Sequence, residues 1–143
     1  MSKGELAESY FRQGYNCSQA VVLAFCDEMG IDKSTASRMT IGLGGGIGRM
    51  REVCGTISGA AVVLGCIYKN ENKSEIYRRV QHLAGIFKEH NGSVVCRELL
   101  GLSSKGFDNP QAEPRTQEYY RKRPCPVLIR NMADELEKYL NSN

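Results

Sequence analysis

The chain lacks most features that would take it out of solution or out of a reducing compartment. Its longest stretch without a charged residue runs from Val53 to Tyr68, 16 residues that include Gly55, Thr56, Ser58, Gly59 and Gly65. A membrane-spanning helix needs about 20 apolar residues, so no membrane insertion is expected. The opening segment, MSKGELAESYFRQG, has no apolar core of the kind a secretory signal carries, and a cytoplasmic location is the expectation. Charge of one sign is also scarce. The 19 basic and 16 acidic residues leave a net +3, too mild to imply a nucleic-acid partner. No stretch alternates polar and apolar residues with a period of two, so no substantial sheet is expected. Internal repeats and low-complexity tracts are missing. There is no Cys-x-x-Cys pair, which excludes a thioredoxin-type motif and a zinc-knuckle spacing, and no Cys-x-x-Cys-His for covalent haem.

What is present is a 143-residue chain with 41% hydrophobic and 24% charged residues, ordinary values for a folded domain. At this length folding buries roughly two thirds of the unfolded chain's surface, so neither disulfide nor metal is needed merely to fold. A single domain, residues 1–143, is expected. Helical periodicity dominates. A first helix is predicted over about Lys3–Gln13, with Gly14 ending it. Asn16 caps a second, about Cys17–Met29, and Gly30 stops it. Asp32 or Ser34 caps a third that runs to about Ile41. Residues 53–68 form a helix that is apolar nearly all round and therefore central. Ser74–His90 carries Ile76, Val80, Leu83, Ala84 and Phe87 at helical spacing. Ser93 caps a short turn of helix, Val94–Leu100. A long loop follows over 103–116, with Ser103, Ser104, Gly106, Asn109, Pro110 and Pro114. The last helix starts near Pro124-Cys125-Pro126 and ends near Leu140. The fold class is all-α: a compact bundle of about six to seven helices, with a glycine-rich loop leading into the central apolar helix.

Six cysteines in a chain with no secretory signal point to metal binding, redox chemistry or small core residues rather than a structural disulfide framework. They divide by position. Cys26 and Cys66 lie inside helices, where a thiol packs as a small hydrophobe. Cys17, Cys54, Cys96 and Cys125 all fall at expected helix starts. Free N–H groups and the helix dipole favour an anion there, and such sites lower cysteine pKa values. The four are separated by 37, 42 and 29 positions, so a shared site requires the helix starts to converge in space.

Gly42, Gly44, Gly45, Gly46 and Gly48 suggest a phosphate loop, but no strand precedes them and no Gly-Lys-Ser/Thr follows. A tight turn with positive φ angles, leading Cys54 into the packed centre, is the better reading. A backbone nest for an anion is a lesser one. Gly55 and Gly59, four residues apart, leave a groove in which another helix passes closely. Arg49 and Arg51 flank the approach to Cys54, and Arg121, Lys122 and Arg123 precede Cys125. Each group either acts on its thiol or is simply solvated. His90 is a base for a thiol or, more simply, a helix-end histidine, and His82 is read as solvated. The Tyr119-Tyr120 pair is read as core or interface.

Several of these segments together carry a family resemblance. Gly14-Tyr15-Asn16-Cys17-Ser18-Gln19-Ala20, the run Gly44-Gly45-Gly46-Ile47-Gly48-Arg49-Met50, then Cys54-Gly55-Thr56-Ile57-Ser58-Gly59, Cys96 and Cys125 resemble the C_GCAxxG_C_C family. Its members are described as redox-active proteins of about this length. The likeness extends over about Phe11–Leu136. Thr56 stands where the family usually has alanine and adds a hydroxyl beside Cys54. The resemblance implies that Cys17, Cys54, Cys96 and Cys125 are the functional set, the same four chosen from helix starts. A similar domain also occurs beside haem in some cytochromes.

Two chemical readings stand. In the first, the four cysteines are catalytic in thiol–disulfide redox chemistry with a redox partner, making the protein a thiol–disulfide oxidoreductase; Cys17 and Cys54 are the first pair. In the second they are metal ligands in electron transfer or redox sensing, holding an iron–sulfur cluster or zinc as cofactor. A third reading, a helical interaction module without chemistry, uses the apolar helix as an interface, as in a homodimer.

Overall fold

Side-chain caps decide where most of the helices begin. The computed structural model describes residues 1–103 and 106–142, so Ser104 lies outside the described residues. In chain order the helices are α1 (Lys3–Arg12), α2 (Cys17–Ala24), α3 (Cys26–Met29), α4 (Lys33–Thr40), α5 (Gly55–Ile67), α6 (Lys73–Asn91), α7 (Cys96–Leu99), α8 (Gln117–Lys122) and α9 (Cys125–Ser142). Ser2, Asn16, Asp32, Asn72 and Thr116 each accept a hydrogen bond from the backbone N–H three residues on, starting α1, α2, α4, α6 and α8. At Asn16 the box is closed by Gln19, whose side chain accepts from the Asn16 N–H at 2.9 Å.

The all-α class is as expected, with more helices than the periodicity suggested. Two differences account for the extra count. The predicted Cys17–Met29 helix breaks at Phe25. At this break the Ala24 carbonyl accepts at 2.9 Å from the ammonium of Lys3, which also pairs with Glu28 at 2.8 Å. Helix α8 was not anticipated between the proline-rich loop and Pro124. No strand forms among the described residues. One isolated antiparallel bridge joins Val53 to Val95.

The core is built around α5, which packs against α2, α6 and α9. Its Val63 and Leu64 are fully buried, as are Val21 and Val22 of α2 and Ile129 and Leu136 of α9. Each such side chain contributes about 1.5–3 kcal/mol. Phe11 and Ala7 of α1, with Leu83 and Phe87 of α6, close the remaining sides. The glycine groove on α5 receives α2, as expected. A Cβ on Gly59 would stand 2.9 Å from the Ser18 carbonyl oxygen, and one on Gly55 would overlap Sγ of Cys17. The backbones therefore meet where Cys17 and Cys54 sit. No helix among the described residues is long and apolar enough to cross a membrane.

Candidate functional site

Four helix starts converge on one cavity of about 370 Å³, and Cys17, Cys54, Cys96 and Cys125 all line it. Cys17 is the first residue of α2, Cys54 caps α5, Cys96 opens α7 and Cys125 opens α9. All six cysteines are free thiols. The remaining two lie elsewhere. Cys26 donates to the Val22 carbonyl at 3.7 Å and Cys66 to the Met29 carbonyl at 3.6 Å. A larger, more open groove of about 700 Å³ between α6 and α9 has charged and aromatic walls but no cysteine.

Local backbone pairing brings two of the thiols together. The Cys54 N–H donates to the Val94 carbonyl at 2.9 Å, the Cys96 N–H to the Glu52 carbonyl, and the Arg97 N–H to the Arg51 carbonyl at 3.2 Å. Residues 51–54 and 94–97 are thus zipped side by side, although 42 positions separate the cysteines.

The glycine loop supplies the opposite wall. Gly45, Gly46, Ile47, Gly48 and Arg49 all have φ between 54° and 68°, and Arg51 has φ 61°. For Ile47, Arg49 and Arg51 this left-handed backbone costs of order 1–3 kcal/mol each. Hydrogen bonds from Gly48 N–H to the Gly42 carbonyl (2.8 Å) and from Arg51 N–H to the Gly45 carbonyl (3.0 Å) hold the winding. The loop approaches the thiols too closely for side chains. A Cβ on Gly46 would lie 2.8 Å from Cβ of Cys96, and one on Gly44 would overlap the Asn16 side chain.

Burial dominates the thiol chemistry. It pushes the Cys17 thiol above its ordinary range, although the backbone N–H groups of Gly45, Ser18 and Gly55 favour the thiolate. Burial, reinforced by the neighbouring Cys17 sulfur, pushes Cys54 up to about 12. Thr56 opposes that shift, with Oγ1 3.3 Å from Sγ of Cys54, so the hydroxyl that departs from the family pattern reaches the sulfur. Cys125 also rises to about 12 through burial and Cys17, with Arg123 acting the other way. For these three cysteines the expectation of lowered pKa values at helix starts is overturned. A thiolate inside an apolar wall loses more hydration than the helix terminus returns.

Arg51 departs from its expected role. Its guanidinium reaches Cys96, not Cys54, with Nη1 3.6 Å from Sγ. Only 5% of Arg51 is exposed. Its Nη2 and Nε meet Oδ2 of Asp108 at 3.0 and 3.2 Å. Arg49 bonds the same carboxylate oxygen at 3.1 Å. Arg123 pairs with Glu113 and lies over the Tyr119 ring, while Arg121 and Lys122 are exposed. Tyr119 and Tyr120 pack on Phe11. Both histidines are exposed and neither lines the thiol cavity.

The sequence reading missed Asp108, Glu113 and Arg115, all in the loop before α8. Only the unusual length of that loop marked it. Among the described residues, no three His, Cys, Asp or Glu side chains are gathered closely enough to hold a metal ion.

A family model described as "Putative redox-active protein (C_GCAxxG_C_C)" matches residues 15–139 of the 143, so the chain belongs to that family. No curated protein and no solved structure shows a significant match.

Proposed function

We propose that this member of the C_GCAxxG_C_C family performs thiol–disulfide exchange at the cavity, with Cys17 and Cys54 as the first pair. One observation carries the reading. Four of the six thiols, from widely separated segments, line a single cavity, while Cys26 packs in the core and Cys66 lies half-buried apart from the cavity, bonded to the Met29 carbonyl. The family description supports the redox character.

Cys17 is the attacking group. It is half-buried rather than sealed, and three backbone N–H groups favour its thiolate. The Cys17 thiolate attacks one sulfur of a substrate disulfide, forming a mixed disulfide and releasing the first substrate thiol. The Cys54 sulfur then attacks Cys17, releasing the second thiol and leaving a Cys17–Cys54 disulfide. The two protein thiols give up two electrons and two protons, and the substrate disulfide takes both. Proximity compensates for the small thiolate fraction of Cys54. Cys96 and Cys125 complete the thiol set. A cytoplasmic setting suits a protein whose resting cysteines are reduced.

Anaerobic purification followed by an absorbance spectrum, metal analysis and thiol titration tests this. The expected result is a colourless, metal-free protein. Its titratable thiols fall on mild oxidation and return on reduction, with Cys17 and Cys54 joined in peptide maps. Visible bands with iron and sulfide, or stoichiometric zinc, would replace the proposal with a four-thiolate metal centre. Thiols inert to oxidant would leave only a helical interaction module.

A further inference from the structure

The wall around the thiols is cationic beyond what its own carboxylates neutralise. Arg49, Arg51, Arg115 and Arg123 line the cavity, against one lining carboxylate, Glu113. Asp108 answers Arg49 and Arg51 at 3.1 and 3.0 Å, and Glu113 pairs with Arg123 and lies 3.6 Å from Arg49. Arg115 has no carboxylate partner among the described residues. Its Nη1 donates to the Phe11 carbonyl at 2.9 Å and its Nη2 to the Tyr15 carbonyl at 3.0 Å. The guanidinium lies 4.4 Å from the Phe11 ring centroid and 5.1 Å from that of Tyr119. Carbonyls and rings fix this cation at the cavity wall without neutralising its charge, which is what a ligand carboxylate would meet there.

Ile41, Leu99 and Leu128 add apolar wall, and Asn16 and Thr56 are uncharged. A volume of about 370 Å³ matches a small-molecule site rather than the bulk of a folded partner. A neutral or cationic disulfide would meet this wall without a matching charge, and a cationic one would be repelled.

Building on the exchange reading above, we infer that the substrate is a small disulfide carrying carboxylates, with Arg115 as the positioning residue that selects it. The disulfide is itself the oxidant. It takes two electrons and two protons from Cys17 and Cys54 and leaves as two carboxylate-bearing thiols.

Three small disulfides test this: 3,3′-dithiodipropionate (anionic), bis(2-hydroxyethyl) disulfide (neutral) and cystamine (cationic). Each rate is divided by that of the same disulfide with free N-acetylcysteine. The anionic compound is expected to lead the cationic one by at least about tenfold at low ionic strength, with the gap narrowing in salt. Arg115→Gln brings the ratio toward unity, and Arg115→Lys retains part of it. The salt dependence of the unaltered protein serves as the test if the glutamine variant fails to fold. Equal normalised rates, or a ratio insensitive to salt, overturn the substrate assignment while leaving exchange intact. If none of the three reacts, the exchange reading falls, and calorimetry with suberate, the carbon isostere of dithiodipropionate, decides the pocket alone. Suberate binding that weakens in Arg115→Gln supports the carboxylate site, and no binding removes it.

Discussion

Nη1 of Arg51 donates to Sγ of Cys96 across 3.6 Å, from a guanidinium that Asp108 holds by two of its other nitrogens. The cation therefore cannot leave the sulfur without loosening a salt bridge. A charged hydrogen bond of this kind contributes about 1.5–3 kcal/mol.

Arg51→Met keeps the length of the side chain and removes its charge. Alkylation of Cys96 by iodoacetamide at neutral pH is expected to slow by about tenfold. Cys26 and Cys66, remote from the arginine, serve as internal references in the same mass-spectrometric experiment. An unchanged Cys96 rate would show that the guanidinium does not act on the thiolate.

Cys54 and Cys125, held near 12 when folded, ionise near pH 8.5 in the unfolded chain. Between about pH 9 and 12 the folded protein keeps protons that the unfolded chain has shed. Stability therefore falls as pH rises through that window. Urea midpoints measured from pH 8 to 10.5 are expected to decline, and more shallowly in a Cys54→Ala, Cys125→Ala double variant. Equal slopes in the two proteins would mean that burial does not control these thiols.

Gly59→Ala pushes a methyl group to within 2.9 Å of the Ser18 carbonyl oxygen and 3.3 Å of Cβ of Val21. Separating α2 from α5 is expected to cost about 1–3 kcal/mol in denaturant unfolding. Gly65→Ala on the same helix meets nothing within 4 Å, and is expected to gain about 0.5–1 kcal/mol. Matching effects at the two positions would contradict the close approach.

What could be read from the chain was local. Asn16 and Asp32 announced helix starts because a cap acts over three or four residues, and the four helix-start cysteines came out as the set lining one cavity. Gly55 and Gly59 announced a close helix passage for the same reason. Ser93 misled, since α7 begins only at Cys96, after Val95 and without a side-chain cap. Long-range effects stayed hidden. The carbonyl left at the Phe25 break is taken up by Lys3, 21 residues before Ala24. The destination of Arg51 depends on a backbone pairing with residues 94–97. The direction of the thiol shifts was misread because a helix terminus is visible in sequence and the apolar wall around it is not.

Asp108 holds two arginines that stand in a loop wound against the natural handedness of its residues. Through that carboxylate the segment before α8 is tied to the glycine loop across 57 to 59 positions of sequence, so two walls of the cavity that no backbone continuity joins are held together through side chains.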